Sequence, residues 1–387
     1  MRPLDALYAG LAAAVAAALL TPLAARVAYA VGAVDRPRER GLADRDTPRL
    51  GGLALLGAVL LAALIWLGWH GSTRGILLGA VLICAVGALD DVVELPAAPK
   101  LAGQVLAAVV PVLSGLTVDR LNIPFLGPHE IDPFLAHVLP VLGLVALMNA
   151  VNFSDGVDGL AAGVCAISAV AFSIIAFDLQ RGTAGVFAAL IAGACAGFLV
   201  HNFHPARVFM GDSGSNLLGY LLGCVAILGT LKTNAVIALV APLAILAVPF
   251  LDTGFVLAKR LRYRRRVWEA DTNHFHHRFA RIGFSQRRTV LYLYGWSATL
   301  AGLAVALRFV PYYSHGAYQP FWLAVMGLIG LVVLAVSLYL VLVLEILKFR
   351  RLRARELRAA DPGTAEWEID AEVAREIETG EWEAVGS

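Results

Sequence analysis

Carboxylates beside long apolar stretches are the residues of this sequence best suited to chemistry. The first group is Asp90 and Asp91, followed by Glu94 and Lys100. Adjacent carboxylates repel each other, and a divalent cation or a nearby base usually compensates. The spacing predicts a cation-dependent site, with a solvated helix end as the alternative.

A second group repeats a polar side chain every third residue. Asn149, Asn152, Asp155 and Asp158 share one face if the backbone is helical or nearly so. Gly156 and Gly159 allow tight turning or close approach to a ligand. Two amides and two carboxylates in ten residues between apolar stretches favour a binding site over a solvated loop.

A third group opens a predicted helix with the sequence Gly-Asp-Ser-Gly-Ser, residues 211–215. Free backbone N–H groups at a helix N-terminus suit a phosphate, and Asp212 could hold a metal beside it. The alternative is an ordinary Asp or Ser N-cap. The sequence His201-Asn202-Phe203-His204 lies just before this group.

Two further groups lie nearer the C-terminus. Asp252 precedes Lys259 by seven residues, which is roughly 10 Å along a helix, and acts as a supporting acid or as a structural hydrogen-bond partner. His274, His276, His277 and Arg278 could bind zinc or grip a diphosphate. Zinc favours a closed set of Cys and His ligands, which no other group supplies.

The composition indicates a membrane protein. Apolar residues make up 59% of the chain and charged residues 16%, against roughly 25% in soluble domains. The mean hydropathy is +0.73. The four cysteines stand singly, which argues against a zinc ribbon, a redox pair and a disulfide framework. No basic surface of the kind that binds nucleic acid is present.

Apolar stretches near or above 18 residues predict membrane helices. We expect an all-α polytopic membrane protein with about eleven transmembrane helices, near 7–32, 50–69, 75–92, 101–118, 134–151, 158–178, 184–201, 213–231, 234–257, 289–309 and 320–347. Residues 1–347 would form the membrane domain. Residues 348–387 would form a cytoplasmic tail, first basic and then acidic.

Most of the 31 Lys and Arg residues lie in alternate loops, which predicts an external N-terminus and a cytoplasmic C-terminus. All five polar groups then face the cytoplasm. Residues 1–30 could instead form a signal peptide cleaved after Ala28-Tyr29-Ala30, but this would place the Arg-rich loop 35–49 outside.

Six motifs together resemble the polyprenyl-phosphate N-acetylhexosamine-1-phosphate transferase family over roughly residues 35–300. They are DDVVEL, NAVNFSDGVDGL, FMGDSGSNLLG, PFLDT and HFHHR, with Thr47-Pro48-Arg49-Leu50-Gly51-Gly52 as the N-terminal signature. The resemblance implies transfer of N-acetylglucosamine-1-phosphate from UDP-N-acetylglucosamine to undecaprenyl phosphate, with release of UMP. It implies that the enzyme uses Mg2+, with Mn2+ as a substitute, and that it lies in the cytoplasmic membrane. Whether the protein forms a homodimer stays open.

The resemblance also implies residue roles. Asp212 and Asp91 would bind the metal, and Asp90, Asp91, Asp155 and Asp158 would be catalytic. The substrate-binding residues would be Asn149, Asn152, Asn202, Ser215, His274, His276, His277, Arg278 and Lys100. Because the second pKa of a phosphate monoester is near 6, the lipid phosphate needs little help from a base. We therefore expect Asp90 and Asp91 mainly to orient and neutralise.

The sequence departs from the family in its first inner loop, where a common Arg-Lys-x-His run is replaced by Arg40-Gly41-Leu42-Ala43. Arg38, Arg40, Arg45 or Arg49 could supply the missing positive charge. The pattern His-x-His-His-Arg resembles the branch that uses UDP-N-acetylglucosamine to begin O-antigen, enterobacterial common antigen or teichoic-acid linkage units. The alternative branch uses UDP-MurNAc-pentapeptide.

Two other classes remain open from the sequence. An intramembrane prenyltransferase would use Asp90-Asp91-x-x-Glu94 and the second motif Asp155-Gly-Val-Asp158, but would leave the third and fifth groups without a role. A nucleotide-sugar transporter would need carboxylates at mid-membrane, whereas these lie at one face. The released product separates all three classes.

Overall fold

A computed structural model describes residues 1–36, 46–123, 127–229, 286–311, 313–314, 317–335, 337, 357–358, 367–369 and 371–373. The chain divides into two compact units, Met1–Ala270 with Val290–Pro311, and Asp271–Thr289 with Tyr312–Ser387. Asp252, His274, His276, His277, Arg278 and the predicted span 234–257 lie outside the described residues, as do Arg38, Arg40 and Arg45.

The described residues are mostly helical. The helices are α1 Pro3–Val31, α2 Gly51–Trp66, α3 Gly71–Val93, α4 Ala97–Leu113, α5 Pro133–Ser154, α6 Leu160–Asp178, α7 Gly182–Asn202, α8 Gly211–Gly229, α9 Gln286–Phe309 and α10 Pro320–Ala335. Three antiparallel two-stranded ribbons accompany them: β1 Val34–Asp35 with β2 Thr47–Pro48, β3 Arg120–Ile123 with β4 Gly127–Glu130, and β5 Tyr313–Ser314 with β6 Ala317–Tyr318.

Six of the described helices are long and apolar enough to cross a membrane: α1, α3, α5, α6, α7 and residues 286–306 of α9. Helices α2, α4 and α10 are apolar but shorter. These helices confirm an integral membrane protein. The total of eleven spans and the external N-terminus stay predictions, as does the division at residue 347.

The structure shifts several predicted boundaries for local reasons. Helix α4 begins four residues earlier than expected, directly after Pro96, and ends at Leu113. Gly115 follows with a φ of +95°, which turns the chain. Helices α5, α6 and α7 are continuous although polar residues interrupt their apolar stretches.

Helix α8 is the centre of the first unit and packs against α2, α3, α5, α6 and α7. Almost all of its residues from Ser213 to Gly229 are buried. Such all-round burial is expected of a helix enclosed by others. Tyr220, the largest fully buried side chain, donates a hydrogen bond of 3.0 Å to the carbonyl of Ile76 in α3.

Helix α1 packs on α7 through small residues. Ala9, Ala13 and Ala17 are buried, whereas Leu11 and Val15 on other faces are exposed. A Cβ atom at Gly197 of α7 would lie 1.9 Å from the carbonyl oxygen of Ala14. Small residues let membrane helices approach closely, where van der Waals contact drives association. The exposed leucine and valine side chains form a face suited to lipid.

This packing predicts that Gly197→Ala destabilises the protein because the new methyl group meets backbone that cannot turn aside. Overpacking typically costs about 1–3 kcal/mol. Gly143→Ala is the matched control, because nothing lies within 4 Å of a Cβ at that helical position. We expect thermal unfolding in detergent to begin at lower temperature for Gly197→Ala and at equal or higher temperature for Gly143→Ala. Equal melting of both variants would contradict the close α1–α7 contact.

Candidate active site

The three polar groups within the described residues meet at one end of the helical bundle. This end holds the C-termini of α3, α5 and α7 and the N-termini of α4, α6 and α8. Helices that alternate in direction bring every second connection to the same side. The expected gathering of these groups at one face is therefore found, and which face of the membrane it is remains a prediction.

Asp91 joins α3 to the first turn of α8. One carboxylate oxygen accepts the N–H of Asp212 at 2.8 Å, and the other accepts the N–H of Ser213 at 3.0 Å. Asp91 is only 5% exposed. A negative charge is favourable at the positive end of a helix dipole, and capping of this kind contributes about 0.5–2 kcal/mol.

This cap corrects the expectation of free N–H groups at the start of α8. The N–H groups of Asp212 and Ser213 are already bound by Asp91, so they do not offer a phosphate site in this structure. The cap comes from a neighbouring helix, because Gly87 and Gly211 allow α3 and α8 to touch. A Cβ at Gly87 would lie 2.5 Å from the Asp212 carbonyl oxygen, and Gly211 has a φ of +70°.

Asp90 faces a different set of partners from its neighbour. One of its oxygens accepts the N–H of Leu95 at 2.6 Å, and the other lies 2.9 Å from the ammonium of Lys100. The same ammonium also contacts the carboxylate of Asp212. Lys100 therefore neutralises two carboxylates that come from different helices and are 122 residues apart in the sequence.

Asn152 completes the surroundings of Asp212. Its amide donates to the second Asp212 oxygen at 2.7 Å and to the hydroxyl of Ser215 at 2.9 Å. Ser215 in turn donates to the carbonyl of Gly211 at 3.0 Å. Asp212, with a side chain 30% exposed, thus remains accessible while Lys100 and Asn152 fix the direction of its carboxylate.

We use the term charged cluster for Asp90, Asp91, Lys100, Asn152 and Asp212. Among the described residues, no group of three or more His, Cys, Asp or Glu side chains is placed to hold a metal ion. Mg2+ in proteins often takes one or two carboxylates and completes its shell with water and substrate phosphates. The carboxylate oxygens of Asp212 and Asp90 fit that pattern, because both already contact the same positive group, the ammonium of Lys100.

Asp91 suits a metal ligand less well than Asp90, because both of its oxygens accept N–H groups of α8. Its role as a metal ligand stays a prediction. Asn202 is 3% exposed and uses its amide internally, accepting from the Gly159 N–H and donating to the Val208 carbonyl, each at 3.0 Å. Its geometry supports loop positioning and leaves the predicted uridine contact untested.

The loop between α5 and α6 is held by contacts that sequence reasoning did not predict. Asp158 accepts from His204 Nδ1 at 2.9 Å, with the imidazole donating there, and from the Ala206 N–H at 3.0 Å. The hydroxyl of Tyr294 in α9 donates to the Gly159 carbonyl at 2.5 Å. His204 was marked by its place in the third group, whereas nothing in the sequence around Tyr294 indicated this contact.

Asp155 lies between these anchored residues and has no side-chain hydrogen-bond partner among the residues that the structure describes. Part of its surface is accessible, yet protein encloses the carboxyl group. Burial, followed by the negative charges of Asp212, Asp91 and Asp158, raises the pKa of Asp155 to about 8. In the absence of a bound cation, the geometry therefore favours the neutral acid near pH 7.

A raised carboxyl pKa means that the folded protein retains a proton that the unfolded chain releases. Asp155 thus lowers stability progressively as the pH rises from about 4 to about 8, and by a constant amount above that. In metal-free buffer, Asp155→Asn removes this cost. We expect its thermal stability relative to the unsubstituted protein to increase between pH 5 and pH 8 and then level off. A difference independent of pH would contradict the enclosed position of Asp155.

Comparison with known proteins matches residues 73–230 to the model described as glycosyl transferase family 4. The chain is 36% identical to the "Probable undecaprenyl-phosphate N-acetylglucosaminyl 1-phosphate transferase" of Bacillus subtilis (strain 168), over 71% of this chain and 77% of that protein. It is 38% identical to the "Decaprenyl-phosphate N-acetylglucosaminephosphotransferase" of Mycolicibacterium smegmatis, over 78% and 82%.

A third relative represents the other branch. It is the "Phospho-N-acetylmuramoyl-pentapeptide-transferase" of Moorella thermoacetica, 35% identical over 69% of this chain and 86% of that protein. The motifs that supply the charged cluster all lie within residues 73–230, the region that matches the family. The chain belongs to glycosyl transferase family 4, the family of polyprenyl-phosphate N-acetylhexosamine-1-phosphate transferases.

Proposed function

We propose that this protein transfers N-acetylglucosamine-1-phosphate from UDP-N-acetylglucosamine to undecaprenyl or another polyprenyl phosphate. An oxygen of the lipid phosphate attacks the phosphorus that carries the sugar, and the bond from that phosphorus to UMP breaks. The products are lipid-diphospho-N-acetylglucosamine and UMP. The bond between the sugar and its oxygen stays intact, so the anomeric configuration is retained.

The charged cluster at one end of an apolar bundle is the observation that carries this proposal. A transfer between a lipid phosphate and a nucleotide diphosphate needs a polar site at the edge of the membrane. It also needs positive charge to oppose the phosphates. Asp90, Asp212 and Lys100 meet at one end of the apolar helices, where such a site is expected. The names of the relatives from Bacillus and Mycolicibacterium support the sugar and lipid chosen.

Mg2+, or Mn2+ in its place, is part of the proposal. Asp212 and Asp90 would hold it, and when bound it would neutralise the diphosphate as UMP leaves. Within the chain, Asn152 and Ser215 orient Asp212, and Asp91 fixes the helix turn that carries it. Lys100 keeps the adjacent carboxylates from repelling each other before substrate arrives.

We further propose that the active site faces the cytoplasm in the inner membrane, because UDP-sugars are cytoplasmic and the distribution of Lys and Arg in the sequence predicts that the loops joining the helices at this end are cytoplasmic. The lipid product would begin a cell-envelope glycopolymer such as lipopolysaccharide or teichoic acid. Arg49 lies at the same end, and its guanidinium is 3.7 Å from Glu94. Of the four arginines that could replace the Lys and His missing from the first inner loop, Arg49 is the one that lies among the described residues.

The proposal predicts UMP release when purified protein is given undecaprenyl phosphate, Mg2+ and UDP-N-acetylglucosamine. Removal of Mg2+ with EDTA should stop the reaction. Asp212→Asn should lower kcat by about 100-fold or more, because loss of one charge-stabilising group at a reacting centre costs that much. Glu130→Gln is the control, since Glu130 forms an exposed ion pair with Arg120 away from the charged cluster.

The products and substrates distinguish the alternatives. Turnover of UDP-MurNAc-pentapeptide without turnover of UDP-N-acetylglucosamine would place the protein in the branch of the Moorella relative. Release of inorganic diphosphate would indicate a prenyltransferase. Uptake of intact sugar nucleotide into vesicles, without UMP, would indicate a transporter. Any of these three results would overturn the proposed reaction.

A further inference from the structure

Three amide side chains form a continuous hydrogen-bonded chain beneath the charged cluster. Asn149 of α5 donates to the side-chain oxygen of Gln104 in α4 at 2.8 Å. Gln104 donates to the side-chain oxygen of Asn216 in α8 at 2.8 Å. Asn216 donates to the backbone carbonyl of Asp212 at 2.8 Å. Each amide thus donates to the next, and the chain ends on the first turn of α8.

Each of the three amides lies one helical turn from a member of the charged cluster. Gln104 follows Lys100 by four residues, Asn149 precedes Asn152 by three, and Asn216 follows Asp212 by four. Residues three or four apart lie on the same face of a helix. We call these three amides, Gln104, Asn149 and Asn216, the amide layer. It lies parallel to the charged cluster and is built from α4, α5 and α8, three of the four helices that supply the cluster.

Two of the three amides are buried too deeply for water to replace their hydrogen bonds. Gln104 and Asn216 are each 1% exposed. An unpaired polar group in such surroundings carries its full desolvation cost, since no water is at hand to take over the lost bond. An amide offers donors and acceptors in fixed directions, so the chain sets the rotation of each helix as well as its distance from the others.

We propose that Gln104 is a positioning residue that holds Lys100, Asn152 and Asp212 in register across α4, α5 and α8. This inference rests on the proposed transferase function. Gln104 is the middle member, so its loss removes the donor to the side-chain oxygen of Asn216 and the bond from Asn149 to α4. Asn149 then keeps only its bond to the Val145 carbonyl in its own helix, and Asn216 keeps only its bond to the Asp212 carbonyl. It touches none of the proposed substrates and acts only through the helices that carry the charged cluster.

The test compares two variants, each of which removes a buried side-chain group that forms a hydrogen bond between α8 and a neighbouring helix. Gln104→Met keeps the length of the side chain and removes its polar atoms. Tyr220→Phe is the matched control, because it removes the hydrogen bond to Ile76 without touching the amide layer. Thermal unfolding of both purified proteins establishes how much stability each substitution costs.

We expect Gln104→Met to lower kcat for UMP release by about 10- to 100-fold, the usual range for residues that position a metal or reacting group. The Mg2+ concentration for half-maximal activity should rise, while the KM for UDP-N-acetylglucosamine changes less. Tyr220→Phe should leave kcat and the Mg2+ requirement within about twofold of the unsubstituted protein at a similar loss of stability. Unchanged kcat in Gln104→Met, or an equal loss of kcat in Tyr220→Phe, would overturn the proposal.

A second readout does not depend on the reaction. Lys100 is held by two carboxylates, so its reaction with an amine-acetylating reagent should be slow, as followed by mass spectrometry. Gln104→Met should increase the acetylation rate of Lys100 several-fold, and Tyr220→Phe should not. If the unsubstituted protein releases no UMP, the proposed function fails. The positioning role then stands or falls on this acetylation rate alone.

Discussion

The carboxylate of Asp91 binds the N–H groups of Asp212 and Ser213 in the first turn of α8, and the arrangement of the candidate site depends on that contact. It fixes where α8 begins, and therefore where Asp212 lies relative to Asp90 and Lys100. Because the neighbouring residue Asp90 turns to Lys100 instead, two adjacent carboxylates serve two purposes. One completes a helix terminus, and the other faces the charges of the site.

Charge balance explains why so many polar side chains are tolerated in an apolar bundle. Burial of an unpaired carboxylate is costly, and the structure offsets that cost with Lys100, with backbone N–H groups and with amide donors. Asp212 receives the ammonium of Lys100 and the amide of Asn152. Asp155 is the exception among the described residues of the site. Burial raises its pKa to about 8, and no described side chain donates a hydrogen bond to its carboxylate. A substrate or a bound cation would compensate that charge.

Sequence reasoning located the candidate site because carboxylates and amides are rare in membrane helices. That rule selected Asp90, Asp212, Asn152 and Lys100, which the structure brings together. The same rule applies to Gln104 and Asn216, polar residues in apolar helices, to which sequence reasoning assigned no role. The sequence predicts free N–H groups and a phosphate site at the N-terminus of α8, because no local pattern shows the cap. The cap comes from Asp91, 121 residues before Asp212 in the chain.

A second contact that the sequence does not predict also joins distant residues. The anchoring of Gly159 by Tyr294 joins residues 135 apart in the sequence, and no local pattern encodes it. Within the described residues the predicted helices were largely correct, because hydropathy is a local property with a fixed length scale. Their boundaries shifted where proline or glycine set the end, as at Pro96 and Gly115.

The cap of α8 by Asp91 is tested most directly by hydrogen exchange of the backbone amides of Asp212 and Ser213, followed by mass spectrometry. The account predicts slow exchange in the unsubstituted protein and fast exchange in Asp91→Ala, because both N–H groups then lose their acceptor. Asp90→Ala should leave these amides protected, since Asp90 bonds elsewhere. Equal exchange in the unsubstituted protein and Asp91→Ala, or equal loss of protection in both variants, would contradict it.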